Sequence, residues 1–314
     1  MKLLWLDLNS SYAHSSLALP ALHAQIADDT TIEWCIVSAT INENTGMVVS
    51  RIHKHRPDII AATNWLFNHE QLLHIISRAK ALLPHCCIVL GGPEFLGNNE
   101  AFLYKNKFVS GVFRGEGEEV FPQWLKVWNH SKETWKAITG LCYLDENGRY
   151  QDNGIARVMN FSQLVSPEKS CFFNWSKPFV QLETTRGCFN TCAFCVSGGE
   201  KPVRTIPLEA IRERLNDIHQ HGIKNVRVLD RTFNYNNKRA KELLDLFRQY
   251  PDICFHLEIH PALLSEELKQ ELSVLPKGLL HLEAGIQSLK ESVLQQSRRI
   301  GKLSDALEGL KYLC

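Results

Sequence analysis

The sequence predicts an α/β protein in two parts, each built from parallel strands alternating with helices. Short apolar runs alternate with amphipathic helical stretches along most of the 314 residues, the pattern of successive βαβ units. The polar, glycine-containing turns fall after the strands, where open α/β sheets place their ligands. Between residues 137 and 178 the alternation stops, which divides the chain.

In the first part, residues 3–8 read as a strand, followed by the polar turn Asn9-Ser10-Ser11-Tyr12 and a helix over about 15–26. A second strand at 32–37 precedes a helix at 47–55. The third strand, 58–62, ends in Thr63-Asn64-Trp65, and a helix over 70–83 is closed by Pro84. The fourth, 87–90, ends in Gly91-Gly92-Pro93-Glu94. The fifth, 111–114, ends in Gly115-Glu116-Gly117-Glu118-Glu119, with a helix carrying on to Trp128. These units predict a doubly wound, Rossmann-like sheet. Residues 138–150 then read as a β-hairpin turning at Asn147-Gly148, and 152–178, with Pro167 and Pro178, as a surface linker.

The second part opens near Phe179. Strands are expected at 180–183, 225–229, 254–259 and 279–283, with helices at 207–221, 237–250 and 265–275 and helical sequence to Cys314. This is a run of four βα units, the pattern of a βα barrel.

Composition narrows the function. Hydrophobic residues at 44% and charged residues at 22% suit a globular protein with cores. A net charge of +1 offers no basic surface for nucleic acid. The N-terminal apolar run is broken by Asp7, and no stretch approaches a membrane span, so a cytoplasmic location without membrane partners is expected. Ten cysteines without an export signal read as reduced thiols.

Three of them stand within eight residues. In Thr184-Thr185-Arg186-Gly187-Cys188-Phe189-Asn190-Thr191-Cys192-Ala193-Phe194-Cys195 the thiols are spaced x3 and x2 directly after a strand. Thiolates are the usual ligands of iron–sulfur clusters, which take four. Three would leave one iron open to a small molecule. Other readings stand beside this one. A structural zinc site wants a fourth ligand, for which His221 and His256 are the nearest candidates. A thioredoxin-type pair would use Cys192 and Cys195 and leave Cys188 unexplained. Three ordinary buried cysteines are the plainest reading.

The stretch resembles the defining motif of the radical S-adenosylmethionine (SAM) superfamily, Cys-x3-Cys-x2-Cys with an aromatic residue before the last cysteine, here Phe194. The resemblance implies a 4Fe-4S cluster on Cys188, Cys192 and Cys195 in the loop after the first strand of a partial (β/α) barrel. It implies reductive cleavage of SAM to a 5′-deoxyadenosyl radical, with an electron donor such as flavodoxin or ferredoxin. By position it suggests SAM contacts at Phe194, Ser197, Gly198, Gly199, Glu200, Asp230, Glu258, Glu283, Gln287 and Arg299. Arg231, Thr232, Asn234 and His260 also end barrel strands.

The segments Ile88-Val89-Leu90-Gly91-Gly92-Pro93-Glu94 and Arg114-Gly115-Glu116-Gly117-Glu118 resemble the "GGPE" and "RGEGE" segments of the cobalamin-dependent subclass. The Rossmann-like domain is then expected to be of the cobalamin-binding type. Its contacts would come from Asn9, Ser10, Ser11, Tyr12, Thr63, Asn64, Trp65, Gly91, Gly92, Pro93, Glu94, Gly115, Glu116 and Gly117. The chain departs from classical cobalamin domains in having no Asp-x-His-x-x-Gly segment to supply a histidine to cobalt. His14 and His69 occupy the corresponding loops.

The expectation is a cobalamin-binding domain at 1–132, a hairpin and linker at 133–178, and a radical SAM partial barrel at 179–314. The barrel normally has six βα units, so four suggest truncation. The expected function is methyl transfer to, or rearrangement of, an unknown substrate. Two alternatives remain: a cobalamin-independent radical SAM enzyme, and a non-catalytic cobalamin- or cluster-binding sensor or carrier.

Overall fold

A computed structural model describes residues 1–14, 16–197 and 200–314. The chain divides into two compact units, Met1–Phe173 and Asn174–Cys314.

The first unit follows the expected alternation: β1 (Lys2–Asn9), α1 (Ala18–Ala24), β2 (Glu33–Thr40), α2 (Thr45–His55), β3 (Ile59–Thr63), α3 (His69–Leu82), β4 (Cys87–Gly91), α4 (Glu100–Lys105), β5 (Gly111–Phe113) and α5 (Val120–Leu125). The strands lie in the order β2-β1-β3-β4-β5, all parallel. Alternate residues of β1 serve two cores. Leu4, Leu6 and Leu8 pack with Val48, Ile52, Leu72 and Ile76 of α2 and α3. Leu3 and Trp5 pack with Leu19 of α1 and Phe121 and Trp124 of α5. The sheet is buried on both faces, as a doubly wound fold requires.

Some local expectations change. Helix α1 starts at Ala18, where the Ser16 hydroxyl accepts the Ala18 N–H. Pro20 has no N–H to give, so it is tolerated only in a first turn. Helix α4 was not expected, and α5 is shorter than the stretch to Trp128.

The hairpin, β6 (Leu141–Leu144) and β7 (Tyr150–Asp152), extends the first sheet antiparallel to β5. It does not stand apart between two domains, and the break between units falls after Phe173. Its connection is longer than a two-residue Asn-Gly turn. Asp145 accepts the N–H groups of Asn147 and Arg149, and Gly148 takes the left-handed conformation. Beyond β7, Ala156 exchanges backbone hydrogen bonds with Arg114 and Glu116. Residues 152–173 of the expected linker thus belong to the first unit, and 174–178 to the second.

The second unit contains β8 (Val180–Leu182), β9 (Thr185–Arg186), β10 (Arg204–Thr205), α6 (Leu208–Gln220), β11 (Asn225–Val228), α7 (Asn237–Phe247), β12 (Cys254–Ile259), α8 (Glu266–Ser273), β13 (Leu280–Ala284), α9 (Glu291–Gln296) and α10 (Leu303–Leu313). Strands β8-β11-β12-β13 form a parallel sheet in chain order, the arrangement of a barrel segment. Val180, Leu182, Val226, Val228, Phe255 and Leu257 are buried, and Phe255 stacks on Phe247 of α7 at 4.1 Å. The alternate positions, Arg227, His256, Glu258, His281 and Glu283, are polar and reach solvent. Asn236 and Ser265 cap α7 and α8 through their side chains. The antiparallel pair β9–β10 was not expected. It is two residues long on each side, too short to leave a period.

Candidate cluster loop and strand-end sites

The cysteine loop leaves β8 and is fixed at its base from two directions. Strands β9 and β10 pair Thr185 with Thr205 and Arg186 with Arg204. Just beyond, the Cys188 N–H donates to the Glu200 carbonyl at 3.0 Å. Gly187 between them has φ +95, and a Cβ there would strike the Glu200 carbonyl and the Pro202 oxygen. Only glycine fits that approach.

The second direction is Asp230, at the end of β11. Its carboxylate accepts the N–H groups of Thr184 at 2.8 Å and Thr185 at 2.9 Å, and the Thr184 hydroxyl. Burial pushes this carboxyl above the ordinary range, while the threonine hydrogen bonds work against the shift. Asp230 was expected among SAM contacts. Its oxygens serve the chain itself, so it positions the loop. Arg186 pairs with Glu183 at 2.8 Å.

Within the loop, Cys192 is buried, Cys188 half-buried and Cys195 exposed, and all three thiols are free. Burial raises the Cys188 thiol. A hydrogen bond from the Asn190 backbone opposes this, nearby Cys195 and Cys192 add to it, and the Arg231 guanidinium opposes it. The three thiols stand within eight residues of one loop. Among the described residues no three His, Cys, Asp or Glu side chains are gathered into a closed chelate. The donor set fits an iron–sulfur cluster: three reduced thiols on one fixed loop. The zinc reading fares worse. His221 stacks on Trp175 at 3.7 Å and bonds the Asp217 carbonyl, and His256 bonds Glu283 at 3.0 Å.

The other expected SAM contacts separate. Phe194 is exposed, Ser197 buried and Glu200 half-buried. Gly198 and Gly199 lie outside the described residues. Glu258 and Glu283 are paired in register across β12 and β13, and both face Arg227, at 3.5 and 3.7 Å. With His256, which bonds Glu283, they form a network of one arginine and two carboxylates on the solvent-facing side of the sheet. Gln287 has φ +76. Arg299 donates to the Gly285 carbonyl at 2.6 Å.

In the first unit the sheet order reverses direction between β1 and β3, and their carboxyl ends lie side by side. That is the ligand crevice of doubly wound folds. Asn9, Ser10 and Ser11 border it half-buried, Tyr12 is exposed, and Ser11 bonds His14. Thr63 and Trp65 are half-buried. Asn64, expected among the cobalamin contacts, is completely buried and bonds His69. Sequence reasoning missed Leu66, 83% exposed, and Phe67, which stacks on Trp65. An apolar Trp-Leu-Phe run in a loop after a strand is the signal that would have found them.

The GGPE and RGEGE segments divide in role. Gly91, Gly92, Pro93 and Glu94 remain partly exposed at the end of β4. A Cβ on Gly92 would meet the Asn64 backbone at 2.5 Å. Gly115 lies against Ala156, Glu116 accepts the Val158 N–H at 2.8 Å, and Gly117 lies against Leu22. These three, expected as cobalamin contacts, are engaged in holding residues 156–158 and α1 to the sheet. No helix among the described residues is long and apolar enough to cross a membrane.

Two family models match separate stretches of the chain. Residues 182–314 match the radical SAM superfamily and residues 8–125 the B12 binding domain. An uncharacterized methyltransferase of Pyrococcus horikoshii is 29% identical over 201 residues, covering 61% of this chain and 43% of that protein. The cobalamin-dependent radical SAM methyltransferase TokK of Streptomyces tokunonensis is 21% identical over 188 residues, 56% of this chain and 28% of TokK. The chain thus spans less than half the length of either. The structure of the cobalamin-dependent SAM radical enzyme OxsB with aqua-cobalamin and SAM bound superposes with a TM-score of 0.77. It is 16% identical and covers 99% of this chain and 47% of OxsB, a likeness of fold.

Proposed function

The chain belongs to the radical SAM superfamily and carries a B12-binding domain, and from that premise we propose that it serves a cobalamin-dependent radical SAM enzyme transferring a methyl group to an unidentified substrate. The observation that carries this reading is the cysteine loop: three reduced thiols on a loop fixed by β10 and Asp230 at the end of the first strand of a parallel sheet. When bound, a 4Fe-4S cluster would supply the electron that cleaves SAM, and cobalamin would supply the methyl-carrying metal.

The protein's own residues do the rest. Cys188, Cys192 and Cys195 hold the cluster, and Asp230 with Thr184 keeps the loop at the strand ends. Phe194, Glu200, Gln287 and the partly exposed ends of β12 and β13 are the SAM-facing groups in this reading. Arg227 pairs with both Glu258 and Glu283, which leaves one carboxylate charge in excess on that face of the sheet. The cobalamin-facing groups are Ser10, Ser11, Tyr12, Trp65, Leu66, Phe67 and the Gly91–Glu94 segment. A cytoplasmic setting with a flavodoxin- or ferredoxin-type electron donor belongs to the same proposal.

The test is anaerobic reconstitution of the protein with iron and sulfide, and its purification from cells supplied with cobalamin. About four irons per chain, a visible charge-transfer band and a corrinoid spectrum are expected. Formation of 5′-deoxyadenosine under reducing conditions would separate an enzyme from a carrier. Iron without a corrinoid would favour a radical SAM enzyme that does not use cobalamin.

A further inference from the structure

Residues 297–301 make contact in three directions. The Ser297 carbonyl accepts the N–H of Ala193 at 2.9 Å, and Ala193 lies between Cys192 and Cys195. Arg299 donates to the Gly285 carbonyl just past β13. The third contact is with His260, just past β12. His260 is only 4% exposed, and neither ring nitrogen has a well-formed hydrogen bond.

The path of this segment is held by its surroundings. Arg298 has φ +56 and Gly301 φ +101, both left-handed. An arginine adopts that conformation only where neighbouring structure imposes it. The N–H groups of Ser297, Arg298 and Arg299 bond back to Val293, Gln295 and Leu294, and Leu294 is buried. A Cβ on Gly301 would stand 2.9 Å from the Ala262 Cβ and 3.4 Å from the His260 ring. The His260 backbone is itself clamped, giving its N–H to Asn234 and accepting the Asn234 amide in return, at 2.8 and 2.9 Å. Asn234 is 1% exposed.

We propose that residues 297–301 are a strap that sets the position of the cysteine loop against the carboxyl end of β13, with Arg299 as its positioning residue and His260 as the buried seat it rests on. The base of the loop is held by β10 and Asp230, and the strap holds its far side, where Cys192 and Cys195 stand. Arg299 then acts on the cluster site through the backbone and not as a ligand of its own. The strap is a property of the chain; its effect on iron retention rests on the cluster reading.

The experiment has two readouts. Amide hydrogen exchange of Ala193 is followed in the cluster-free protein, and iron loss to a chelator in the anaerobically reconstituted protein. Variants are Arg299→Gln, the milder Arg299→Lys, Gly301→Ala, and Gly278→Ala as a control. Gly278 has φ +86 and open space around it, so its substitution brings backbone strain without touching the strap. In Arg299→Gln and Gly301→Ala the Ala193 amide is expected to exchange about tenfold faster, with iron loss accelerated in parallel and Arg299→Lys intermediate. Gly278→Ala should leave both rates at the parent values even if its thermal midpoint falls. Unchanged Ala193 exchange in Arg299→Gln, or an equal rise in Gly278→Ala, would overturn the strap. A parent protein that takes up no iron would count against the cluster reading alone, because the exchange measurement still decides the strap.

Discussion

Asp230 and Thr184 are 46 residues apart in the chain, yet the buried carboxylate of one receives both the N–H and the hydroxyl of the other. The contact joins the end of β11 to the exit of β8, and so sets where the cysteine loop begins. Asp230→Ala would leave two buried N–H groups and a hydroxyl without an acceptor. The expected cost is on the order of 3 kcal/mol, read as a lower urea midpoint, together with weaker iron retention. Asp230→Asn keeps one acceptor oxygen and should fall between. A variant as stable as the parent would show that the contact does not hold the loop.

The cysteines should separate cleanly. Alanine at Cys188, Cys192 and Cys195 together is expected to abolish iron uptake, whereas alanine at Cys254 and Cys314 should leave it unchanged. Cys254 sits half-buried in β12 and Cys314 ends the chain. Iron-to-protein ratio after reconstitution is the measurement, and equal iron in the triple variant would defeat the assignment.

The crevice of the first unit predicts an asymmetry between neighbours. Leu66→Ser should weaken corrinoid retention about tenfold, from the apolar area it would otherwise cover, with the thermal midpoint unchanged because Leu66 is exposed. Asn64→Ala should do the opposite. It removes a buried amide bonded to His69 and should lower the midpoint first. Retention measured by gel filtration of the cobalamin-loaded protein distinguishes the two.

His260 makes stability depend on pH in a defined direction. Burial, and then the charge of Arg299, lower its pKa from 6.5 to about 4. The unfolded chain therefore takes up the proton first as pH falls, and stability contributed by the neutral ring is lost between pH 6.5 and 4. His260→Leu should flatten that part of the urea-midpoint profile relative to the parent. Parallel profiles would show that the ring does not titrate in this way.

The strand–helix alternation, the doubly wound first sheet and the cysteine triplet were all legible without coordinates. Each rests on local pattern: apolar period, turn residues and thiol spacing. The site residues were legible by type and less so by role. Asp230, Asn64 and Glu116 are polar residues at or beside strand ends, which is what a ligand contact looks like in one dimension. Each has a hydrogen-bond partner within the chain, Thr184, His69 and Val158, and two of those three lie more than 40 positions away.

The sequence by itself determined which elements form and which thiols stand close together in the chain, because hydrophobic period and thiol spacing are encoded within a few neighbouring residues. The tertiary structure alone decided which polar groups are spent on partners within the chain. It also decided that the hairpin belongs to the first sheet and that Ser297 reaches Ala193. Those outcomes depend on pairing between distant segments, where a buried polar group must find a partner, and no local pattern records which partner that is.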